Sequence, residues 1–477
     1  MYKFSLLSGV CVIAIALHAA NAQQLSVNSA TAKSVELTWT GAAGTAAIER
    51  SSGKTFQKIG PAAGSSYTDT TIDPFGTYKY RINTAGKFSN EVTVGPPPMG
   101  VSSAAPAPKG SDPAKYGPAT ATNLDVNGDP LIAFEWVDSN GDGDQADTEI
   151  RFVAWDRASY QWKQPVRVVT TGPLADQGVN PMAIACDRSN GNLAILTTAG
   201  ENLVYATSTD NGVTWKTAPV SNSNGTPRAV SMIVASGQAY AAVNAETGAT
   251  YYTGSAADPS SFKSQAVPAG AGWKIQNQSN IPMTVDQSGN IALAFYVDQQ
   301  DADNHRYVFW RAGSSDPTVI AANAPADSPD VALTFGGNKF GVLLNATLDS
   351  NDTDHGVWYT QSTDGSSWSK PVRLPIDGPR STNPPLGIAI ASKGNLTAAF
   401  GSNSGSAGAT CNSPAVSRST DGANWTTCGI GQAAGADFNP QPPTIHVIEA
   451  PNDKAYVVWQ EQNDSKYNPG VLVWHEK

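Results

Sequence analysis

Twelve residues from Asp138 to Glu149 carry the side chains best suited to chemistry. Asp138, Asn140 and Asp142 stand at positions one, three and five, a glycine follows at position six, and Glu149 stands at position twelve. This is the spacing of a calcium-binding loop, in which Asp144 offers its backbone carbonyl at position seven. A solvated acidic turn is the alternative. Because the carboxylates of this segment would repel one another without a cation, the spacing favours bound Ca²⁺.

A second set of candidates consists of aromatic, amide and charged side chains on loops between predicted strands. Trp273 stands on a glycine-rich loop beside Gln276 and Asn277. An indole next to amides and carboxylates is a common way to hold a neutral sugar, by stacking and hydrogen bonds. Packing of Trp273 between neighbouring sheets is the alternative. Comparable loops add further candidates for the same ligand-binding face: Asp176, Arg380, Asp437 and Phe438.

Three copies of a short motif predict the tight turns between strands. The first copy reads Ser-Thr-Asp-Asn-Gly-Val-Thr-Trp. Its Asp can accept hydrogen bonds from backbone N–H groups, its Gly can adopt a positive φ, and its Trp can pack beside the next strand. The residues with these structural roles are Ser208, Asp210, Gly212 and Trp215, then Ser362, Asp364, Gly365 and Trp368, and finally Ser419, Asp421, Gly422 and Trp425.

The first copy matches the Asp-box, or BNR repeat, and the other two are one residue shorter. Residues 117–477 therefore resemble a β-propeller of the sialidase-like superfamily. The resemblance implies that the motif turns lie away from the ligand mouth, on a side that we call the turn face. Loops between second and third strands and loops between blades then form the opposite side, which we call the ligand face.

A repeat supports this architecture: a turn with Gly or Asn, followed by a strand of small and apolar residues. Seven copies occur at the spacing of a four-stranded blade, which favours seven blades and leaves six as the alternative. The last copy ends after its third strand, at Gly470–Trp474. We expect its outer strand to come from Met99–Ala104, ahead of the first blade.

The chain ahead of the propeller divides into three parts. Residues 1–22 have the charged start, apolar run and Ala-x-Ala site of a secretory signal peptide. Residues 23–95 resemble a fibronectin type III domain, with an early Trp39, paired Tyr78 and Tyr80, and a closing Ser-Asn-Glu-Val strand. Residues 96–116 are a linker rich in Pro, Ala and Ser. No transmembrane segment is expected after cleavage of the signal.

Cysteine placement agrees with an oxidising compartment. Cys411 and Cys428 flank the third motif turn, so they would face each other across one hairpin and form a disulfide. Cys186 ends an apolar strand and is expected to be a buried thiol. The signal and the disulfide together predict a secreted, extracellular or periplasmic protein.

Charge and composition narrow the class of partner. The net charge is −10 and charged residues make up 15% of the chain, which argues against nucleic acid or an anionic membrane as a partner. Acidic residues such as Asp298 and Asp303 fall between second and third strands. The ligand face is therefore expected to be acidic. The expected partner is a carbohydrate or an extracellular protein.

Two functions remain open at this point. The first is recognition: a secreted, calcium-stabilised, all-β protein that binds glycans or a protein partner. The second is an exo-glycosidase of sialidase-like type. The resemblance implies an Arg in a Phe/Tyr-Arg-Ile-Pro motif at the start of blade one, but residues 117–124 contain no Arg. Arg228 and Arg380 stand near blade entries without that motif, and we interpret both as surface charges. Sialidase activity itself is therefore not expected.

Overall fold

The structure is a computed structural model. It describes residues 23–42, 46–62, 64–106, 116–137, 148–172, 181–300, 303–326, 329–348, 356–375, 386–401, 414–430, 445–450, 454–461 and 470–475. The chain divides into two compact units, Met1–Gly95 and Pro96–Lys477. Each unit is described separately.

The first unit is a β-sandwich. One sheet has the strand order β1-β2-β5, and the other has the order β4-β3-β6-β7, with β8 also pairing with β6. The strands are β1 (Gln24–Ala30), β2 (Val35–Thr40), β3 (Ala46–Ser51), β4 (Gln57–Ala62), β5 (Ser66–Asp69), β6 (Tyr78–Thr84), β7 (Lys87–Phe88) and β8 (Val92–Val94). Alternate residues of β2 and β6 point inwards, and Leu37, Trp39 and Tyr80 are buried in one apolar core.

The second unit consists of antiparallel sheets that follow one another along the chain. Sheet 1 contains β10 (Tyr116–Leu124), β11 (Pro130–Trp136), β12 (Glu149–Asp156), β13 (Gln161–Trp162) and β14 (Val166–Thr170). Sheet 2 contains β15 (Met182–Cys186), β16 (Leu193–Ala199), β17 (Asn202–Ser208) and β18 (Lys216–Val220). Sheet 3 contains β19 (Pro227–Ala235), β20 (Gln238–Ala245), β21 (Gly248–Ser255) and β22 (Lys263–Ala266), with a 3₁₀ turn at Pro259–Ser261.

Four more sheets complete the described part of this unit. Sheet 4 contains β23 (Trp273–Ile275), β24 (Met283–Val285), β25 (Ile291–Gln299), β26 (His305–Arg311) and β27 (Thr318–Ala322). Sheet 5 contains β28 (Val331–Gly336), β29 (Lys339–Ala346), β30 (Gly356–Ser362) and β31 (Val372–Arg373). Sheet 6 contains β32 (Leu386–Ile390), β33 (Leu396–Phe400), β34 (Ala415–Ser419) and β35 (Thr426–Gly429). Sheet 7 contains β36 (Ile445–Ala450), β37 (Lys454–Glu461), β38 (Gly470–His475) and β9 (Gly100–Pro106).

One strand of each sheet contacts one strand of the next sheet, and these contacts form a closed cycle. The order of contact is β10, β15, β19, β24, β28, β32 and β36, and β36 in turn contacts β10. Each sheet therefore radiates from a shared centre, which is the arrangement of a β-propeller. The all-β class and the propeller architecture expected from the sequence are confirmed.

Sheet 7 is built from two distant parts of the chain. β9 pairs antiparallel with β38, and the register runs from Gly470 opposite Pro106 to His475 opposite Gly100. The segment that the sequence analysis treated as a linker thus contributes a strand, in the region where an outer strand was expected. Pairing satisfies the backbone groups along β38 that an edge strand would leave open.

Burial explains why the strands of this unit read as short apolar runs. All residues of β11 and β33 are buried, because both faces of each sheet pack against neighbouring sheets. Small residues such as Ala133 and Ala399 stand next to large ones such as Phe134 and Phe400 in these strands. This alternation of sizes lets side chains of adjacent sheets interdigitate.

The structure bears on the predictions made for the cysteines and for a membrane-spanning segment. Cys186 is buried as expected, and burial raises its pKa to about 11. Cys428 is a free, exposed thiol in the structure, while Cys411 lies outside the described residues, so the disulfide stays a prediction. Among the described residues, no helix has the length and apolar character needed to cross a membrane.

Candidate functional site

The motif turns have the predicted local geometry. Ser208 Oγ accepts a hydrogen bond from Gly212 N at 2.9 Å, and Asp210 accepts one from Thr214 N at 2.9 Å. Gly212 has a φ of +82°, which glycine adopts without strain. These hydrogen bonds favour the ionised carboxylate, and the bond from the Thr214 hydroxyl is the main reason that the pKa of Asp210 falls to about 2. The turn is therefore held by its own side chains.

The other two motif turns repeat this arrangement. Gly365 N donates to Ser362 Oγ at 2.8 Å, and Gly422 N donates to Ser419 Oγ at the same distance. Each turn joins the third strand of its sheet to the outer strand. Turns of this kind lie at one end of an antiparallel sheet, and turns between second and third strands lie at the other. The motif turns thus occupy the turn face.

Several predicted site residues lie outside the described part of the chain. These are the calcium-loop residues Asp138, Asn140, Asp142 and Asp144, and the ligand-face candidates Asp176, Arg380, Asp437 and Phe438. Trp273, Gln276, Asn277 and Glu149 are described. The contacts of Glu149 bear on the calcium hypothesis, and those of the other three residues bear on the sugar-binding hypothesis.

Glu149 is the first residue of β12 and pairs with Trp136 at the end of β11, so the intervening loop closes a β-hairpin as expected. Its carboxylate is almost fully buried and lies 2.9 Å from Arg151 Nε and 3.6 Å from a guanidinium nitrogen of Arg167. Two arginines therefore already neutralise the carboxylate that the sequence pattern places at position twelve. Among the residues that the structure describes, no group of three or more acidic, His or Cys side chains has the geometry to hold a metal ion.

Trp273 lies at the ligand-face end of sheet 4. It belongs to β23, an added strand that pairs with β25 between Trp273 and Gln299. The indole is half-buried and packs on the apolar core shared with sheet 3. The guanidinium carbon of Arg306 stands over the ring at 3.8 Å from its centroid. One ring face is thus covered by the guanidinium, and stacking of a sugar on Trp273 stays a prediction.

Arg306 was missed in the sequence analysis. Within the described residues it has no ion pair, and its Nε is buried without a hydrogen-bond partner. Burial lowers the pKa of this guanidinium. The only sequence signal was an Arg at the second position of a predicted third strand, next to a ligand-face loop. A cation stacked on an indole and free of acidic partners can receive an electron-rich group of a ligand.

His305 lies beside Arg306 but on the other side of the sheet, because successive residues of a strand alternate. Its Nδ1 is 2.8 Å from Asp298 Oδ1 and its Nε2 is 2.9 Å from Asp303 Oδ1. The imidazole also stacks on Tyr296, with ring centroids 5.8 Å apart. Burial alone would lower the pKa of His305, but the hydrogen bonds to both carboxylates outweigh it and raise the pKa. The acidic charge predicted for this loop is thus partly neutralised.

Gln276 and Asn277 continue the same loop with different roles. Gln276 N donates to Tyr296 O at 3.1 Å, and its side-chain oxygen accepts from Gln278 N. Asn244 of sheet 3 donates to the carbonyl oxygens of Gln276 and Ser279. Asn277 is exposed. Gln276 therefore shapes the loop, and Asn277 is the amide that a ligand can reach. We call Trp273, Asn277 and Arg306 the corner site.

Two polar side chains at the ligand-face ends of first strands connect neighbouring sheets. Asn280 donates to Val331 O at 2.7 Å and accepts from Val331 N at 3.0 Å. Asp330 accepts from Val331 N and from Leu386 N at 2.9 and 2.8 Å. Burial raises the pKa of Asp330 to about 7 despite these bonds. Because both carboxylate oxygens are occupied by backbone donors, Asp330 has a structural role in joining sheets 5 and 6.

Comparison with known proteins gives structural likenesses only. No family model matches the chain, and no curated protein matches it in sequence. The α-L-arabinofuranosidase Arb93A from Fusarium graminearum is similar at 9% identity over 79% of this chain and 98% of its own, with a TM-score of 0.44. The Hadza microbial sialidase Hz136 is similar at 10% identity over 95% of this chain and 92% of its own, with a TM-score of 0.42. The Aleuria aurantia lectin is similar at 13% identity over 68% of this chain and 98% of its own, with a TM-score of 0.39.

Proposed function

We propose that this chain is a secreted recognition protein, a seven-bladed propeller of the Asp-box type that binds glycans on its ligand face. The observation that carries the proposal is the corner site, where Arg306 stacks on Trp273 and has no acidic partner among the described residues. The exposed Asn277 lies on the same loop. A guanidinium, an indole edge and an amide together offer hydrogen-bond donors above an apolar surface, which is the combination that sugars require.

Binding is favoured over hydrolysis by the state of the described carboxylates. A glycosidase needs one carboxyl group as a general acid and a second as nucleophile or base, on the two sides of the scissile bond. On the other side of sheet 4 from Arg306, Asp298 and Asp303 both bond to the single His305. The two described Asp residues whose pKa burial raises to about 7 are Asp129, paired with Arg157, and Asp330, held by backbone donors. Each of these four carboxyl groups is engaged by a His, an Arg or backbone donors, so no two of them form the pair of free carboxyl groups that a glycosidase uses.

The calcium part of the proposal concerns the hairpin loop between β11 and β12. Asp138, Asn140, Asp142, the Asp144 carbonyl and Glu149 would hold the ion, which would supply positive charge to an acidic loop. Glu149 fits this role only if it shares its carboxylate with Arg151 and Arg167 or releases them. The ion would act as a stabilising ligand of the fold and take no part in chemistry.

The first unit completes the proposal as a spacer. Its two sheets and single apolar core are compatible with the fibronectin type III resemblance, and the core is buried without help from a disulfide among the described residues. A spacer would hold the propeller away from its point of attachment. Secretion through the signal at residues 1–22 belongs to the same proposal.

A glycan array probed with the purified mature protein tests recognition. We expect binding that weakens about tenfold or more in Arg306→Gln and Trp273→Ala. Lys274→Gln is the matched control, because Lys274 is an exposed cation on the same strand as Trp273 and faces the opposite side of the sheet. The same variants are incubated with a panel of aryl glycosides. Turnover that depends on Arg306 would replace the recognition proposal with the exo-glycosidase alternative, and equal loss of binding in all three variants would remove the corner site from it.

A further inference from the structure

A cavity of about 400 Å³ lies between sheets 2 and 3 on the turn face. Sheet 2 contributes Asn192 from its first turn, Thr207 from its third strand and Lys216 from its outer strand. Sheet 3 contributes Val234 and Gly237 at its first turn. The cavity is within the size range of small-molecule sites. It is at the opposite end of the propeller from the corner site, since it adjoins first-to-second and third-to-outer turns.

The cavity exists because sheet 3 has small residues where sheet 5 has phenylalanines. The first turn of sheet 3 is closed by Ala235 opposite Gln238, and the first turn of sheet 5 is closed by Gly336 opposite Lys339. Val234 and Ala239 therefore occupy the positions of Phe335 and Phe340. In sheet 5 these two rings contact each other, with centroids 4.9 Å apart, and fill the junction with sheet 4. The junction of sheets 2 and 3 lacks that volume.

The aromatic contact at the rest of this junction resembles that between sheets 4 and 5. Phe262 packs edge-to-face on Tyr205, with centroids 5.2 Å apart, in the way that Trp368 packs on Phe309. The hydroxyl of Tyr205 donates to Ala256 O at 2.9 Å. The cavity is therefore a defined space between well-anchored walls, and it does not result from loose packing of the whole junction.

The polar groups around the cavity carry both signs of charge. Asp187 is buried and accepts hydrogen bonds from Gly237 N at 2.6 Å and from the Ser189 hydroxyl at 2.6 Å. Burial alone would raise the pKa of Asp187, but these hydrogen bonds, with one from Asn190, outweigh it and lower the pKa, so the carboxylate is ionised. Lys216 supplies the opposite charge on the other wall.

Three side chains on the cavity wall are available to a ligand. Among the described residues, no ion pair or hydrogen bond engages the Lys216 ammonium, the Asn192 amide or the Thr207 hydroxyl. Together they offer donors and acceptors at separate points. Ala194 and Val234 form the apolar floor between them. The lining has one cation and one anion, so it favours a ligand without net charge.

We infer that the junction of sheets 2 and 3 is a second ligand site, which binds a neutral polyhydroxylated molecule of one or two sugar rings. Hydroxyl groups both donate and accept, which matches Lys216, Asn192 and Thr207. The apolar floor suits the C–H face of a pyranose ring. A carboxylate or phosphate would lie against Asp187, and an amine would lie against Lys216, each at an electrostatic cost. The site does not depend on the corner site or on the function proposed for it.

The test uses the full mature protein and the methyl glycosides of glucose, galactose and mannose at millimolar concentration. Saturation-transfer NMR is expected to show contact with at least one glycoside, and titration calorimetry then measures its affinity. Val234→Phe copies the side chain of sheet 5 and is expected to weaken binding about tenfold or more by occupying the cavity. Lys216→Met is expected to weaken it less and leaves the core unchanged.

Two controls make the result decisive. Trp273→Ala alters the corner site only, so glycoside binding that it abolishes belongs to the ligand face and overturns this inference. Thr217→Ala is the control for Lys216→Met, because Thr217 is an exposed neighbour on the same strand and faces the other side of the sheet. Absence of binding to all three glycosides, binding unchanged in Val234→Phe, or preference for a glucuronide or glucosamine over the neutral sugars would each overturn the inference. Thermal melting of each variant establishes that loss of binding is not loss of fold.

Discussion

The indole of Trp215 packs edge-to-face on the ring of Phe152, with centroids 5.3 Å apart, although the two residues belong to different sheets. Phe152 lies on the third strand of sheet 1, and Trp215 follows the motif turn of sheet 2. Trp368 on Phe309 and Trp425 on Tyr359 repeat this relationship at 5.4 and 5.1 Å. Each motif turn thus joins its own sheet to the preceding one.

The glycine of the first motif turn is expected to be intolerant of a side chain. A Cβ at Gly212 would fall on the Phe152 ring, and φ is +82° there. Gly289 has the same φ of +82° with nothing within 4 Å of an added Cβ. We expect Gly289→Ala to cost about 1 kcal/mol through backbone strain, and Gly212→Ala to cost about 1–3 kcal/mol more through the ring contact. Urea unfolding measures both, and equal losses would show that the Phe152 contact does not constrain the turn.

His475 is expected to make the propeller sensitive to acid. Its imidazole is buried, donates from Nδ1 to Pro97 O at 2.9 Å and stacks on Tyr456. Burial lowers its pKa to about 4. As the pH falls, the imidazole becomes protonated in the unfolded chain at a higher pH than in the folded protein, so acid favours unfolding. The stabilisation from neutral His475 is therefore complete above the ordinary pKa of about 6.5 and is lost as the pH falls towards 4. The loss of unfolding free energy is about 3 kcal/mol in total.

Denaturant unfolding between about pH 7 and pH 4 checks this expectation. The slope of unfolding free energy against pH should be shallower in His475→Gln than in the unaltered protein, whatever the absolute stability of the variant. An identical slope in both proteins would contradict a neutral, buried His475.

His305 is expected to have the opposite pH dependence. Hydrogen bonds to Asp298 and Asp303 raise its pKa above the ordinary value, and Tyr296 stacks on the ring without adding charge. The stabilisation is therefore complete below the unfolded pKa of about 6.5 and is lost as pH rises through the folded pKa. The melting-temperature difference between the unaltered protein and His305→Gln should be larger at acidic than at alkaline pH. A difference that grows with pH would mean that the two carboxylates do not hold the imidazolium.

Calcium is expected to stabilise the propeller through the loop between β11 and β12. Chelator should lower the melting temperature, because removal of the ion leaves the acidic side chains of the loop to repel one another. Asp142→Ala should abolish this sensitivity, and Asp316→Ala, an exposed acidic residue on another loop, should keep it. Identical melting curves with and without chelator would contradict calcium binding at this loop. The charge of Glu149 would then be balanced by Arg151 and Arg167 without a metal ion.

Sialic acid release is not expected at a rate typical of sialidases. The arginine motif is missing at the start of the first blade, and Arg228 is engaged with Glu246 at 3.3 Å. A carboxylate sugar would need a cluster of arginines to offset the acidic charge predicted for the ligand face. Hydrolysis of a fluorogenic sialoside by the mature protein is the measurement. Robust turnover that disappears in Arg228→Ala or Arg380→Ala would reverse this expectation.

Local structure was more predictable from the sequence than contacts between sheets. The apolar run Met182–Cys186 is β15, and the Ser, Asp and Gly of each motif form the expected turn, because these features depend on neighbouring residues. The partner of each motif Trp could not be read in the same way. The sequence predicted packing beside the next strand and gave no sign that Trp215 also contacts Phe152 of the preceding sheet, because that contact depends on how sheets pack around the ring.

The candidate site shows the same division. Trp273 was selected from its residue type and its loop, whereas Arg306 stands over it only because β23 adds to the edge of sheet 4. The cavity behind Val234 becomes visible only when two junctions are compared in three dimensions, since Val and Ala are ordinary residues in a strand. Side-chain contacts of this kind, between residues far apart in the chain, have no signature in a single sequence.

The pairing of β9 with β38 has a consequence for synthesis of the protein. His475 contacts Pro97 across 378 residues of chain, so sheet 7 cannot form until nearly the whole propeller has left the ribosome. β9 emerges early and must wait, unpaired, while all the intervening sheets are made. At a translation rate of about 5–20 residues per second, that interval is on the order of tens of seconds. The nascent chain therefore carries an unpaired β9 while the intervening sheets are made, and the ring closes only after β38 has been synthesised.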